Sequence, residues 1–328
     1  MFERSLRKTG KLALFAAAFV AQITTTAQAR PTSAQPITLV VPSVPGGGID
    51  IVGRLFAEKL ADQLRVPVIV ENRGGGGGII GTNFVAKARP DGHTLLLMEA
   101  SSVLAKWLHK DVPFEVTRDF MPVAMVATTS LALFASPSVP ANDVKQLIAY
   151  SKAHPGELSV GTPGIGSPHH LAALMLDRAA GIHITHVPYR GTPPSLNDLL
   201  GGRIPLIWAV PINVKPYLDQ GKVKALGVSG MQRVAMLPQV PTIAESAIPN
   251  FSVTLWLGIA APAGTPPDVV ARLADAVRVV TLLPDVEARM AQLGYNLSFA
   301  DRDGFARRIA HEQDAYGEVI RAAGIQPQ

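Results

Sequence analysis

From Ile37 almost to its end, this chain alternates short apolar runs with amphipathic stretches, and that alternation narrows the folds open to it. Ile37 to Val41 is β-branched, short and stopped by Pro42, so it reads as a buried strand. Ile51, Leu55, Phe56, Leu60 and Leu64 then fall on one helical face. Val68–Val70, Ile79–Lys87 and Thr94–Met98 continue as strand, helix and strand. Repeated units of this kind predict an α/β fold of mostly parallel sheets with helices on both faces.

A second series begins near Leu131. Its expected strands are Leu158–Val160, Ile184–Val187, Ile204–Trp208 and Ala225–Val228, with helices at Val144–His154, His170–Ala180, Pro194–Leu200 and Val214–Gln220. After a strand from Val253 only helices are expected, at Pro267–Leu282, Pro284–Leu293 and Arg302–Ala323. Helices without a sheet of their own must pack back on an earlier core. The pattern therefore predicts two lobes, residues 30–128 plus 257–328 in one and 129–256 in the other. Two strands, near Val123–Phe134 and Ser252–Ala261, would cross between them, an arrangement suited to hinged closure.

The N-terminus points to export. Arg4, Arg7, Lys8 and Lys11 precede the apolar run Leu12–Ala21, and Ala27-Gln28-Ala29 follows as a small-x-small cleavage site. The run is about half the ~20 residues that a membrane span needs, so residues 1–29 read as a cleaved signal peptide and the mature chain as periplasmic. Those residues carry four basic groups and one acidic, so their removal lowers the net charge from +5 to +2 and leaves no sign of a nucleic-acid partner. The chain has no cysteine, which excludes thiol nucleophiles and thiolate metal sites.

Two glycine-rich loops link strands to helices. Ser43-Val44-Pro45-Gly46-Gly47-Gly48-Ile49 can turn sharply and present backbone N–H groups at a helix start, where the dipole favours anions. Thr162-Pro163-Gly164-Ile165-Gly166-Ser167, with Ser167 as a helix N-cap before Pro168, repeats the arrangement in the other lobe. Together they suggest a two-sided clamp for an anion. The bland alternative is a pair of tight turns, with Asp50 stabilising its own helix.

Gly76, Gly78 and Gly81 form a formal G-x-G-x-x-G, the sole support for an NAD-dependent oxidoreductase, and five consecutive glycines satisfy many patterns by chance. A serine hydrolase would have to use Ser101, Ser167 or Ser229, and no G-x-S-x-G elbow is present. His169 and His170 diverge by ~100° on a helix and do not share a metal easily. No cofactor or metal is called for. Arg190 offers a guanidinium that fits either a ligand carboxylate or a structural acid.

With these motifs in place, the chain resembles the Bug family of periplasmic receptors of tripartite tricarboxylate transporters. The resemblance runs from about Pro36 to the C-terminus. It is carried by Val41-Pro42 with Gly46, Gly47 and Asp50, by Glu71-Asn72-Arg73, by Arg89-Pro90-Asp91-Gly92, by Gly164–Leu171, by Val187–Gly191 and by Ala261–Pro266. It implies a Venus-flytrap receptor, a monomer without catalysis, that passes a small carboxylate to a membrane permease. It also implies ligand contacts from Ser43, Val44, Gly46, Gly47, Gly48 and Ile49, from Ser101 and Ser102, and from Thr162, Gly164, Gly166, Ser167 and His170, and it leaves Arg190 structural. Two departures bear on the ligand: Ser43 stands where the family often has an aromatic, and Ala209, after Trp208, where it often has an acid. They lead to the expectation of an amine-free carboxylate, including an aromatic one stacked on Trp208, with Trp208 as a core residue the alternative.

Overall fold

The computed structural model describes residues 35–327, so the expected signal peptide lies outside the described residues. Six strands, β1 (Ile37–Val41), β2 (Val68–Asn72), β3 (Thr94–Glu99), β4 (Phe120–Ser130), β10 (Thr254–Pro262) and β11 (Asn296–Ala300), form one sheet in the order β11-β4-β10-β3-β1-β2. Five more, β5 (Ala132–Ala135), β6 (Ser159–Thr162), β7 (Thr185–Pro188), β8 (Leu206–Ala209) and β9 (Lys224–Val228), form a second in the order β7-β6-β8-β5-β9. Strands β1, β2 and β3 are parallel, as are β6, β7 and β8. The strand that has just changed sheets runs against its neighbours: β10 in the first sheet and β5 in the second.

Helices cover both faces of each sheet, as the alternating pattern requires. The first sheet carries α1 (Gly48–Leu64), α2 (Ile79–Ala86), α3 (Ala100–Leu108) and α4 (Val116–Asp119). The second carries α5 (Val144–Ala153), α6 (Pro168–Ala180), α7 (Thr192–Leu200), α8 (Pro211–Asp219) and α9 (Ile243–Ser246). The chain then returns, and α10 (Pro267–Thr281), α11 (Pro284–Gln292) and α12 (Arg302–Ala322) pack on the first sheet. Val52, Phe56 and Leu60 of α1, at helical spacing, meet Leu39, Leu97 and Leu273 in its core. On the opposite face Phe305 and Ile309 of α12 pack with Met98 and Trp256. A smaller cluster of Leu104, Leu171, Tyr316 and Ile320 joins α3 and α12 to α6 of the second sheet.

The chain leaves the first sheet through Leu131 and returns through Val253, where the sequence placed the crossings. Buried Ser229 ties the two together: its hydroxyl accepts a hydrogen bond from the Leu131 N–H at 3.0 Å and donates one to the Val253 carbonyl. Ser229→Ala leaves both backbone groups unpaired in the core. It is expected to lower unfolding stability by about 1–3 kcal/mol in urea titrations, and a change within error would mean that the tie carries no load.

Four elements depart from expectation: the helices α3, α4 and α9, which the sequence reading did not give, and one strand. The segment after α11 reads as helical or irregular, yet Asn296–Ala300 forms β11 on the sheet edge, paired antiparallel to β4 alone. Pairing on one side only and partial exposure leave it without the continuous apolar run that marks the central strands.

Candidate functional site

Four helices begin around one cavity of about 320 Å³ between the sheets. Gly48 and Ile49 open α1, and Ala100 and Ser101 open α3, both from the first sheet. Pro168 and His169 open α6, and Val210, Ile212 and Asn213 surround the start of α8, both from the second. Leu255, Trp256 and Leu257 of the returning strand form part of the wall, with Leu293 and Tyr295 beyond. The first N–H groups of a helix have no partner within it, and the dipole adds positive potential there. Four such termini aimed at one space make it hospitable to an anion without a Lys or Arg in its lining.

The first loop is held by Asp50, only 2% exposed. Its carboxylate accepts hydrogen bonds from the Gly46 N–H at 2.8 Å, from Arg54 Nε at 3.0 Å and from Asn72 Nδ2 at 2.8 Å. Burial works against its charge, but the Arg54 guanidinium, the Gly46 amide and Asn72 outweigh it and hold the carboxyl below the usual range. Asp50 therefore shapes the loop as well as its helix. The Gly81 side of the glycine run also has a packing reason. A Cβ at Gly81 would come within 2.6 Å of the Arg73 carbonyl and 3.0 Å of Pro42 Cα, so only glycine lets α2 approach β1 so closely. This accounts for the third glycine of the dinucleotide-like pattern without a nucleotide.

A family model described as "Tripartite tricarboxylate transporter family receptor" matches residues 52–325. The chain belongs to this receptor family. It is 37% identical over 319 residues to the UPF0065 protein in the tcbD-tcbE intergenic region of Pseudomonas sp. (strain P51), covering 96% of this chain and 95% of that one. The solved periplasmic binding protein BugD superposes with a TM-score of 0.73 at 36% identity, over 89% of this chain and 99% of its own. R. palustris Rpa4515 with adipate superposes with a TM-score of 0.77 at 30% identity, over 91% of this chain and 100% of its own. Members of the family are solute-binding receptors, and the neighbours share the two-lobed α/β fold.

Within this receptor the residues singled out from sequence divide into groups. Gly48, Ile49 and Ser101 line the cavity. Val44 and Gly46 are exposed on the loop beside it, Gly47 is half-buried, and the Ser43 hydroxyl is buried without a hydrogen-bond partner. Ser102 is buried against Thr82, its hydroxyl 3.5 Å from the Thr82 hydroxyl. In the second loop the amide of Gly166 is already committed, donating to His170 Nδ1 at 2.9 Å. Ser167 accepts from the His170 N–H at 3.2 Å and donates to the Gly164 carbonyl at 2.8 Å, so it serves as a cap. Thr162 and His170 line a second cavity, of about 660 Å³, with Lys110, His186 and the C-terminal Ile325–Pro327. Arg190 is exposed.

Trp208 and Ala209 require a correction. The Trp208 indole is 1% exposed and packs among Leu133, Leu147, Leu176 and Phe251, which leaves no ring face for a ligand to stack on. Ala209 is equally buried on the opposite face of β8, with Phe134 and Val214.

The side chain that sequence reading missed is Glu99, the last residue of β3 and the N-cap of α3. Its carboxyl opens onto the cavity floor beside Gly78 and makes no capping hydrogen bond. Burial pushes it up to about 7, with the Ser101 hydroxyl only partly offsetting the effect. Tyr295, buried next to it, is pushed up to about 12 by burial and by the Glu99 charge. His169, with Nδ1 buried and unpartnered, is pushed down to about 4 by burial and is neutral near pH 7. A signal for Glu99 did exist, since ligands of open α/β sheets sit beyond the carboxyl ends of strands. Among the described residues no assembled nucleophile and base accompany these groups: His169 Nδ1 has no hydrogen-bond partner, and Ser229 is a strand tie.

Proposed function

We propose that the mature protein is a periplasmic receptor that captures a small organic carboxylate and delivers it to the permease of a tripartite tricarboxylate transporter. The observation that carries this reading is the cavity ringed by the starts of four helices drawn from both sheets. An anion seated there touches both lobes at once, so binding favours the closed form by the difference in affinity between closed and open states. Residues 30–128 with 257–328 act as one body and 129–256 as the other, hinged where Ser229 ties the crossings. The adipate held by R. palustris Rpa4515 supports a carboxylate as the class of ligand.

A thermal-shift panel of mono-, di- and tricarboxylates, aromatic acids, amino acids and NAD tests the reading. Ligand at 100-fold above its Kd adds ~2.7 kcal/mol of stability, which raises the Tm by several degrees. The expected outcome is stabilisation by one carboxylate class, recovered chemically unchanged. Stabilisation by NAD alone, or consumption of the added compound, would replace the receptor with an enzyme.

A further inference from the structure

The cavity combines helix starts, which favour an anion, with one acidic side chain, which favours a cation. Helix starts at Gly48 and His169 favour negative charge, whereas the start of α3 already carries Glu99, the one formally charged side chain in the lining. No Lys, Arg or protonated His lies against Glu99, and it makes no salt bridge among the described residues. A carboxylate partly withdrawn from water without a cation carries a cost, and a ligand that brings the cation lowers it on binding. Much of the remaining wall is apolar, with Ile49, Ile212, Leu255, Leu257 and Leu293, which suits a hydrocarbon spacer. The expectation of an amine-free ligand rested on Ala209, a core residue, and so on a position that does not face this cavity.

We propose that Glu99 is the specificity-determining residue of the site and that the ligand is an amino carboxylate, its carboxylate on the helix starts and its ammonium on Glu99. The inference rests on the receptor reading and deepens it. The held-up pKa of Glu99 agrees with an acid that lacks a cationic partner until ligand arrives. By the same geometry a dicarboxylate would place like charges together at Glu99 and bind more weakly.

Isothermal titration calorimetry with two matched ladders decides the matter. One is the ω-amino carboxylates from β-alanine to 6-aminohexanoate, and the other the dicarboxylates of equal length from malonate to adipate. At the best-fitting length the wild type is expected to bind the amino carboxylate at least about 10-fold tighter than its dicarboxylate partner, and Glu99→Gln to reverse that order. The ratio in the wild type stands as a test even where the variant folds poorly. Dicarboxylates binding as tightly as their amino partners, or an order unchanged by Glu99→Gln, would overturn the role of Glu99 and leave the receptor reading intact. Binding of neither ladder by a wild type that binds another carboxylate would overturn the role of Glu99 and leave the receptor reading intact.

Discussion

Glu312→Ala is expected to lower the melting temperature by about 6 °C. Glu312, at 6% exposure, lies where α12 crosses the returning strand β10. Its carboxyl accepts from the Trp256 indole N–H at 2.6 Å and from Arg308 Nε at 2.6 Å, and Arg308 in turn donates to the Thr254 hydroxyl at 2.6 Å. Truncation strands the indole N–H in the interior and leaves the part-exposed Arg308 guanidinium with Thr254 alone, a loss of about 2–3 kcal/mol. Trp256 also walls the cavity, so the same change is expected to loosen ligand binding. Burial pushes the Glu312 carboxyl up even with Arg308 beside it, so Glu312→Gln, which keeps an acceptor, should cost less. Adding Arg308→Ala to Glu312→Ala should recover part of the loss, because it removes the unpaired charge. A loss below about 1 kcal/mol for Glu312→Ala would instead mark the pair as an ordinary exposed i,i+4 contact.

That contrast shows how far the sequence reaches. Arg308 and Glu312 stand four apart on an amphipathic helix, the spacing of countless solvated pairs, and nothing local reveals that Trp256 waits across the interface. The packing of the final helices on the first sheet was legible, because helices with apolar stripes and no sheet need a core. The crossings at Leu131 and Val253 were legible too, as continuous apolar runs that link two strand–helix series. β11 was not, since an edge strand of five half-exposed residues has too little alternation to declare itself. The glycine loops were legible as places with free amides, but composition does not say which amides are spent. Gly46 gives its N–H to Asp50 and Gly166 gives its own to His170, which leaves Gly48, at the start of α1, as the loop glycine that lines the cavity. Trp208 was misread because both faces of a central strand are apolar, and sequence cannot tell which face meets a ligand.

The second large effect is in the pH dependence of the ligand-free protein, where three wholly or partly buried groups pull in opposite directions. His169 is held near 4 by burial, and His170 is held there by burial and by His186, which faces it edge-on at 5.0 Å. His186 itself contacts Asp177 at 3.2 Å. Below the unfolded value of about 6.5, the unfolded chain binds protons that these two rings refuse, so their contribution falls away from pH 6.5 to 4, by up to about 3 kcal/mol each. Glu99 has the opposite sign. Its folded pKa of about 7 exceeds the unfolded value, so the folded state keeps a proton that the unfolded state releases. Its contribution therefore grows as pH falls from 7 to 4.5, by about 3 kcal/mol, and offsets much of the histidine loss. Urea unfolding is expected to show the wild type losing only about 2 kcal/mol between pH 7.5 and 4.5, and Glu99→Gln losing about 5. Glu99→Gln should also be the more stable of the two at pH 8, where the wild type carries an unpaired buried charge. Parallel pH profiles for the two proteins would mean that Glu99 is solvated in the open state and that its burial belongs to the closed cavity alone. Crossing profiles would establish that the empty receptor holds a carboxyl in want of a cation, which is the condition that a ligand ammonium satisfies.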